Sequence, residues 1–453
     1  MTNDAANWVD STGGTVSRAI FVDEAIYKQE QEQIFARAWL FIGHESQVPN
    51  PGDYFVSRMG EESVILTRDR RGQIHVLLNS CTHRGMKVCR YDHGNTRLFT
   101  CPYHGWSFST DGKLVSQPGQ LVGVPGLATH YHGELDRQAW GLQRTARTVN
   151  YKGTIWASWD AAAPDFLDYL GDMKFYLDAA LDHRDGRPGG SELIGGVQKW
   201  RIKCNWKFAP ENFIGDRHHD ISHRSVDLVG IGPSGGKGRR DTVGMERLII
   251  SFPELGHGAI AEPPHYAEPP YTQAYGAHPE VAAYYQSVYD ARVRNLGDRM
   301  RVTMSVGTIF PNMSFHGRQP RTIIVAHPCG PTETELWRFY LVDQDAPDAV
   351  KDAARHYYLR YSGPGGMTES DDMENWSYAT QASKGVISSR MRYNYQMGLG
   401  HAEPVPGLRG AVHCGTYSEE NARTYYRRWF QFMQAGSWDD MRQAAHERVA
   451  DGV

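Results

Sequence analysis

Apolar residues recur at helical spacing through residues 20–38, "IFVDEAIYKQEQEQIFARA", among strong helix formers. From Trp39 to about residue 157 the pattern shortens and alternates. Runs such as "YFVSRM", "SVILTRD", "QIHVLLNS" and "TIWASWD" are divided by Gly, Asp, Pro and Asn, as in a small all-β domain. "RDRRGQI" and "STDGKLV" have the composition of hairpin turns. Beyond residue 158 the pattern is mixed. Helical periodicity covers 165–182, 278–296, 347–360 and 417–433, and strands are expected in "ERLIISFP", "MSVGTIFPNMSF", "RTIIVAHPC" and "ELWRFYLVD". Successive strands segregated from helices predict an antiparallel sheet with helices on one face, an α+β domain. The expected division is therefore an N-terminal helical segment over 1–38, a β domain over 39–157 and a larger domain over 158–453.

Composition narrows the function classes. The 453 residues carry 48 basic and 52 acidic side chains, a formal charge of −4, which gives no electrostatic case for nucleic acid or an anionic membrane. No apolar run approaches the roughly 20 residues that span a bilayer. "MTNDAANWVDSTGG" lacks the basic-then-apolar pattern of a secretory signal. Six cysteines in this length are no disulfide framework, so a reducing cytoplasm is expected. Cys89, Cys204, Cys329 and Cys414 read as ordinary thiols.

The other two cysteines sit in "CTHRG" and "CPYHGW", which together give Cys-x-His, 17 residues, then Cys-x-x-His. Both pairs fall in loops of the β domain. Two thiolates and two imidazoles suit a tetrahedral zinc or an iron–sulfur cluster. The short Cys-x-His arm is not the usual Cys-x(2–4)-Cys zinc knuckle. With Cys first and His second in both arms, one iron can take both cysteines and another both histidines. The flanking Tyr103 and Trp106 read as shields against water.

A second constellation lies in "CNWKFAPENFIGDRHHDISHRSVD". Pro210 suits the first turn of a helix. If that helix continues, Asn212, Asp216, His219 and His223 stand at i, i+4, i+7 and i+11 on one face. Two His and a carboxylate facing one way begin a mononuclear metal site; a solvated polar face is the plainer alternative.

"CTHRG…CPYHGW" resembles the Rieske motif of the aromatic ring-hydroxylating oxygenases, and "NWK", "EN" and Asp216-x-x-His219 resemble the iron-binding helix of that family. The resemblance covers nearly the whole chain. It implies a Rieske [2Fe–2S] cluster on Cys81, His83, Cys101 and His104, and a mononuclear Fe(II) on His219, His223 and a downstream carboxylate. In "GPGGMTESDDMENW" the family register picks Asp372, with Asp371 as runner-up; helix N-capping is the alternative use of either. Asp216, with Asn212 beside it on the helix, is implied in catalysis, its carboxylate joining a cluster His to an iron His. Many members have four residues between the iron-binding His; here there are three. Pairing His218 with His223 restores four, but sets the ligands about 140° apart around an ideal helix.

The implied fold is α+β of the helix-grip type, with a small all-β Rieske domain inserted in a larger catalytic domain with an antiparallel sheet and flanking helices. The implied protein is the large (α) subunit of a dioxygenase. It cis-dihydroxylates an aromatic hydrocarbon, with the actinobacterial polycyclic-aromatic branch the nearest match. O₂ is the co-substrate, and a separate ferredoxin and NAD(P)H-dependent reductase are the electron donors. The cluster serving an iron is expected from a neighbouring subunit, in an α₃β₃ hexamer with a small β subunit or an α₃ trimer. Phe208, Phe213, Ile214, Ile221, Ile309, Phe310 and Met313 are candidates for an apolar pocket, and equally for plain core. A hydroxylase of an aromatic acid such as salicylate is the alternative, which needs a cation such as Lys237, Arg239 or Arg240 in the pocket. A Rieske electron carrier without oxygenase activity is more distant. "GIGPSG" matches G-x-G-x-x-G, but no helix opens after it, so direct NAD binding is not expected.

Overall fold

The computed structural model describes residues 8–10, 12–115, 123–216, 218–229, 248–261, 278–297, 306–317, 321–401, 408–414 and 417–443. The chain divides into two compact units, residues 35–163 and residues 1–34 with 164–453. No helix among the described residues is long and apolar enough to cross a membrane.

The unit 35–163 is built from short antiparallel strands. Ile74–Leu78, Glu62–Arg68, Asp53–Met59 and His93–Asn95 form one sheet in that order, and Arg147–Tyr151, Thr154–Ser158 and Leu40–His44 another. Both predicted hairpin turns are present. Asp69 accepts from the backbone N–H of Arg71 and Gln73, and Gly72 takes a positive φ of 81° that a side chain would resist. Alternating side chains such as Ile65, Leu77, Phe99 and Phe108 make a core that also encloses Cys81, Cys101 and Trp106.

The larger unit is organised on an eight-stranded antiparallel sheet. Its strand order is Ser191–Ile202, Thr334–Asp343, Arg321–Pro328, Met313–His316, Val306–Ile309, His257–Ala261, Leu248–Phe252 and Ala411–Cys414. Residues directly opposite one another share a face. The register therefore sets Gly258, Thr308, Ser314, Ile324 and Arg338 in one row. On that face lie the helix Phe208–Gly215, whose Pro210 carbonyl accepts from Thr308 Oγ1 at 2.8 Å, and the helix Asp348–Tyr361, whose Tyr358 stacks on Tyr340 at 4.2 Å. The expectation of helices on one face only is corrected: the segment 166–181 covers the other face. There Met173 meets Gly307, and Tyr176 packs on Phe252.

Three predicted helices are cut short by local chemistry. The N-terminal one runs only Glu24–Glu30, because Asp23 caps it by accepting from Ala25 and Ile26 N–H; a π-helical turn follows over Gln31–Phe35. The 165–182 helix breaks into Phe166–Leu170 and Lys174–Leu181 at Gly171, which has φ +51°. The third is the helix that was to carry four aligned ligands. It ends at Gly215, with Asp216 already extended at ψ 95°, and a 3₁₀ turn Asp220–His223 precedes the helix Arg224–Val229. In its last turn the Ile214 carbonyl accepts from Asn421 Nδ2 at 2.6 Å in place of a helical N–H. Asn421 fits only because Gly215 and Gly258 lack side chains; a Cβ on either would lie within 2.8 Å of it.

The segment leading into this helix is pinned by a buried ion pair. Lys207 Nζ donates to Glu30 Oε1 at 2.6 Å, and both side chains are out of contact with water. Glu30 also accepts from Trp206 Nε1 at 2.8 Å and Trp429 Nε1 at 2.7 Å. Removing one partner of a buried pair leaves an uncompensated charge or orphaned donors. Lys207→Met is expected to destabilise the protein by about 3–5 kcal/mol in chemical denaturation. Glu30→Leu should cost more, because it strands the ammonium and two indole N–H groups together. A smaller cost for Glu30→Leu would contradict this account.

Candidate metal and redox centres

The two cysteine loops are built alike although their histidines stand at different positions. In one, Gly85 N–H donates to Cys81 O and Cys81 N–H to Met86 O; in the other, Gly105 N–H donates to Cys101 O and Cys101 N–H to Trp106 O. Gly85 and Gly105 close the turns at φ +71° and +74°, a conformation costly for any residue with a Cβ. The loops place the ligand candidates by element. Cys81 and Cys101 are buried side by side, while His83 and His104 are half-buried with ring centroids 4.6 Å apart. His83 stacks on Trp106 at 4.9 Å, and its Nδ1 is buried without a hydrogen-bond partner. Burial, with Cys101 beside it, pushes the Cys81 thiol above its ordinary value, so a metal that takes it as thiolate must displace the proton. A thiol pair, an imidazole pair and an orphaned ring nitrogen fit a two-iron cluster. Cys89, Cys204 and Cys329 form no disulfide, and burial pushes the Cys89 and Cys204 thiols up to about 12. The Cys414 side chain lies outside the described residues.

In the larger unit, His219, His223 and Asp372 come together, with one ligand atom from each within 4.8 Å of the others. Among the described residues this is the single grouping of its kind. His219 Nε2 lies 3.1 Å from His223 Nε2, and Asp372 Oδ1 lies 3.7 and 3.3 Å from them. Asp372 Oδ1 is buried with no hydrogen-bond partner. Two imidazoles and a carboxylate converging on one point, with an orphaned oxygen, fit a divalent iron that keeps open positions. Asp372 arrives there by helical periodicity. Glu369, Asp372, Trp376, Thr380 and Ser383 are the buried stripe of the helix Met367–Ser383. N-capping by either Asp is excluded, since Gly366 is the N-cap.

The break at Asp216 changes the role of its neighbours. Asp216 Oδ1 lies 3.3 Å from His219 Nδ1 and 3.4 Å from His218 Nδ1. Burial alone would raise the Asp216 carboxyl; contact with His219 and His218 outweighs it and holds the group below its ordinary value. His218 stays outside the ligand group and turns its Nε2 toward Glu419, 3.8 Å away. Asn212 is half-buried on the helix, also outside the group. Asp371 faces the opposite nitrogen of His223.

The apolar candidates separate. Phe208 stacks on Phe21 in the core, and Phe310 packs against Phe432 and Tyr425. Ile309 and Met313 are paired with each other on the sheet face opposite Thr308 and so point away from the site helix. Ile214 is core, and Ile221 is 85% exposed. Phe213 remains, with the Arg338 guanidinium 5.7 Å from its ring centre. The loop 230–240, with Lys237, Arg239 and Arg240, lies outside the described residues.

The resemblance marked Glu211 only as part of the "EN" element, and periodicity gave no sign of its partners. Its carboxylate accepts from Tyr395 at 3.0 Å and from Tyr426. Burial pushes it up to about 8, against those two hydrogen bonds and with the help of the nearby Asp216 and Glu419.

Comparison with known proteins identifies the family. A family model for the Rieske [2Fe-2S] domain matches residues 38–126, and one for the ring hydroxylating alpha subunit catalytic domain matches residues 168–435. The chain belongs to the aromatic ring-hydroxylating dioxygenase α subunits. Such an α subunit carries a Rieske [2Fe–2S] cluster and a mononuclear iron. This dioxygenase subunit is 39% identical to the biphenyl 2,3-dioxygenase subunit alpha of Rhodococcus jostii (strain RHA1), over 98% of this chain and 95% of that protein. Naphthalene 1,2-dioxygenase from Rhodococcus sp., solved with indole, superposes with a TM-score of 0.79 at 36% identity, covering 93% of this chain and 95% of that one. A mutant naphthalene 1,2-dioxygenase solved with phenanthrene gives 0.86 at 30% identity and 96% coverage of both.

Glu211 makes stability depend on pH. Its folded value, about 8, lies above the ordinary 4.5, so the folded state holds the proton more tightly. That contribution is complete below about 4.5 and lost as pH rises to about 8. Stability should fall across this window by up to about 1.4 kcal/mol per pH unit. Glu211→Gln should flatten the fall, read as melting temperature against pH; an unchanged slope would remove Glu211 from the account.

Proposed function

We propose that this subunit cis-dihydroxylates a neutral, polycyclic aromatic hydrocarbon of the naphthalene, phenanthrene or pyrene kind. The reaction joins the arene, O₂, two electrons and two protons into a dihydrodiol. The electrons come from NAD(P)H through a separate reductase and ferredoxin, and the subunit works in an α₃β₃ or α₃ assembly. The convergence of His219, His223 and Asp372 carries this reading. These three would hold the mononuclear iron, and Cys81, His83, Cys101 and His104 the cluster. When bound, the iron supplies O₂ activation and the cluster single electrons.

The chain's own residues then orient and select. Asp216 holds the Nδ1 side of His219 and offers a second carboxylate oxygen for the imidazole of an incoming cluster, which is the proposed electron path. A neutral substrate is supported by the charge beside Phe213: Arg338 is already paired with the buried Glu369, so it presents no free cation to a substrate carboxylate. The relatives' names, biphenyl and naphthalene dioxygenase, point the same way.

Iron content tests the ligand set. His219→Ala, His223→Ala and Asp372→Ala should each lose the mononuclear iron and keep the cluster's visible spectrum. His218→Ala should keep both, and Asp216→Asn should keep both centres while turnover drops severely. Loss of iron in His218→Ala with retention in His219→Ala would reverse the assignment.

The reaction is tested by product mass under ¹⁸O₂ with surrogate reductase and ferredoxin, across naphthalene, phenanthrene, pyrene, biphenyl and salicylate. Two labelled oxygens in a dihydrodiol from a fused arene are expected. A single label, on salicylate only, would move the protein to the aromatic-acid hydroxylases.

A further inference from the structure

We propose that Asp371 is a positioning residue for the mononuclear site: it holds His223 through Nδ1 while its neighbour Asp372 meets the same ring at Nε2. The proposal rests on the reading that His219, His223 and Asp372 hold the iron. An imidazole that gives one nitrogen to a metal keeps its proton on the other, and the acceptor of that N–H sets the plane of the ring. For His219 the group on that side is Asp216. His223 is buried, and its Nδ1 makes no hydrogen bond, yet Asp371 Oδ2 stands 3.4 Å away. A movement of about 0.5 Å brings that separation to ordinary N–H···O length.

Asp371 is not a loose surface carboxylate. Ser225 Oγ bridges both of its oxygens, at 3.1 Å to Oδ1 and 2.8 Å to Oδ2. Ser225 lies two residues past His223, so the ligand segment itself steers the carboxylate that faces its histidine. One turn further along the helix Met367–Ser383, Asn375 Nδ2 donates to Ser222 Oγ at 3.0 Å and fixes the same two elements against each other. Successive residues on a helix point about 100° apart. The Asp371–Asp372 doublet can therefore approach one imidazole from two sides, Asp372 from the buried stripe and Asp371 from its edge. His223 is flanked at its two nitrogens by consecutive residues of a single helix, Asp371 at 3.4 Å and Asp372 at 3.3 Å.

The test uses protein stripped of its mononuclear iron with the cluster intact, titrated with Co(II) and followed by the cobalt ligand-field spectrum. The cluster's visible absorption reports folding. Asp371→Ala should bind Co(II) about 10–100-fold more weakly with an altered ligand-field spectrum. Asp371→Asn, whose amide oxygen still accepts from Nδ1–H, should restore most of the affinity and the wild-type spectrum. Ser225→Ala should weaken binding in the same direction by a smaller factor. Wild-type affinity and spectrum in Asp371→Ala would overturn the proposal, as would equal loss in the Ala and Asn variants. If Asp371→Ala loses the cluster absorption, Ser225→Ala decides: weaker binding with a changed spectrum supports the proposal, and wild-type behaviour overturns it. Asp372→Ala separates the underlying reading. It should bind no Co(II); wild-type binding there, with none in Asp371→Ala, would make Asp371 the ligand and sink that reading instead.

Discussion

The ion pair between Lys207 and Glu30 is the constraint on which the catalytic unit is assembled. An ammonium and a carboxylate without access to water are tolerable only when each answers the other and their remaining bonding capacity is met. Glu30 meets it with three donors, from Lys207, Trp206 and Trp429. Those donors belong to the segment before the site helix and to the helix Glu420–Gln434; the acceptor belongs to the helix Glu24–Glu30. Two residues earlier, Asn205 N–H donates to Thr380 Oγ1, on the buried stripe of the helix that carries Asp372. One short stretch, Asn205 to Lys207, thus registers the histidine segment against the carboxylate helix. His219 and His223 are separated from Asp372 by about 150 residues of chain, and this contact joins the two segments that meet there.

The two centres differed in how far the sequence revealed them. The cluster loops are local: each is closed by hydrogen bonds among six consecutive residues, so Cys81, His83, Cys101 and His104 read directly from spacing. The other site is not local. Helical spacing placed His219 and His223 on one side, and the structure does bring them together, although the helix that was to align them ends at Gly215. What ends it is Asn421, some two hundred residues away, and no local pattern announces that. Sheet parity was equally hidden. "VGTIFPNMSF" is largely apolar, and only the register shows Ile309 and Met313 turned from the helix Phe208–Gly215 while Thr308 faces it. Nothing in the local pattern sets Glu30 and Glu211 apart from solvated helix residues, since charge within a helical pattern usually is solvated; each carboxyl is received by aromatic donors from distant segments.

Electrostatics explains why a cation would suit these parts. Asp216, Asp371 and Asp372 bracket two imidazoles, with Glu211, Glu369 and Glu419 close behind. Like charges at this density oppose folding unless something relieves them. Three kinds of relief are visible. Arg338 answers Glu369. Glu211 retains its proton through neutral pH, its two tyrosine donors notwithstanding. Asp216 and Asp371 are turned toward the Nδ1 sides of the histidines rather than toward one another. The charge left over is that of Asp372, whose buried oxygen has no hydrogen bond and faces two ring nitrogens. A divalent ion fits this arrangement. The carboxylates behind the imidazoles also strengthen the ring nitrogens as donors, so one distribution of negative charge attracts the metal and sets the angle of its ligands.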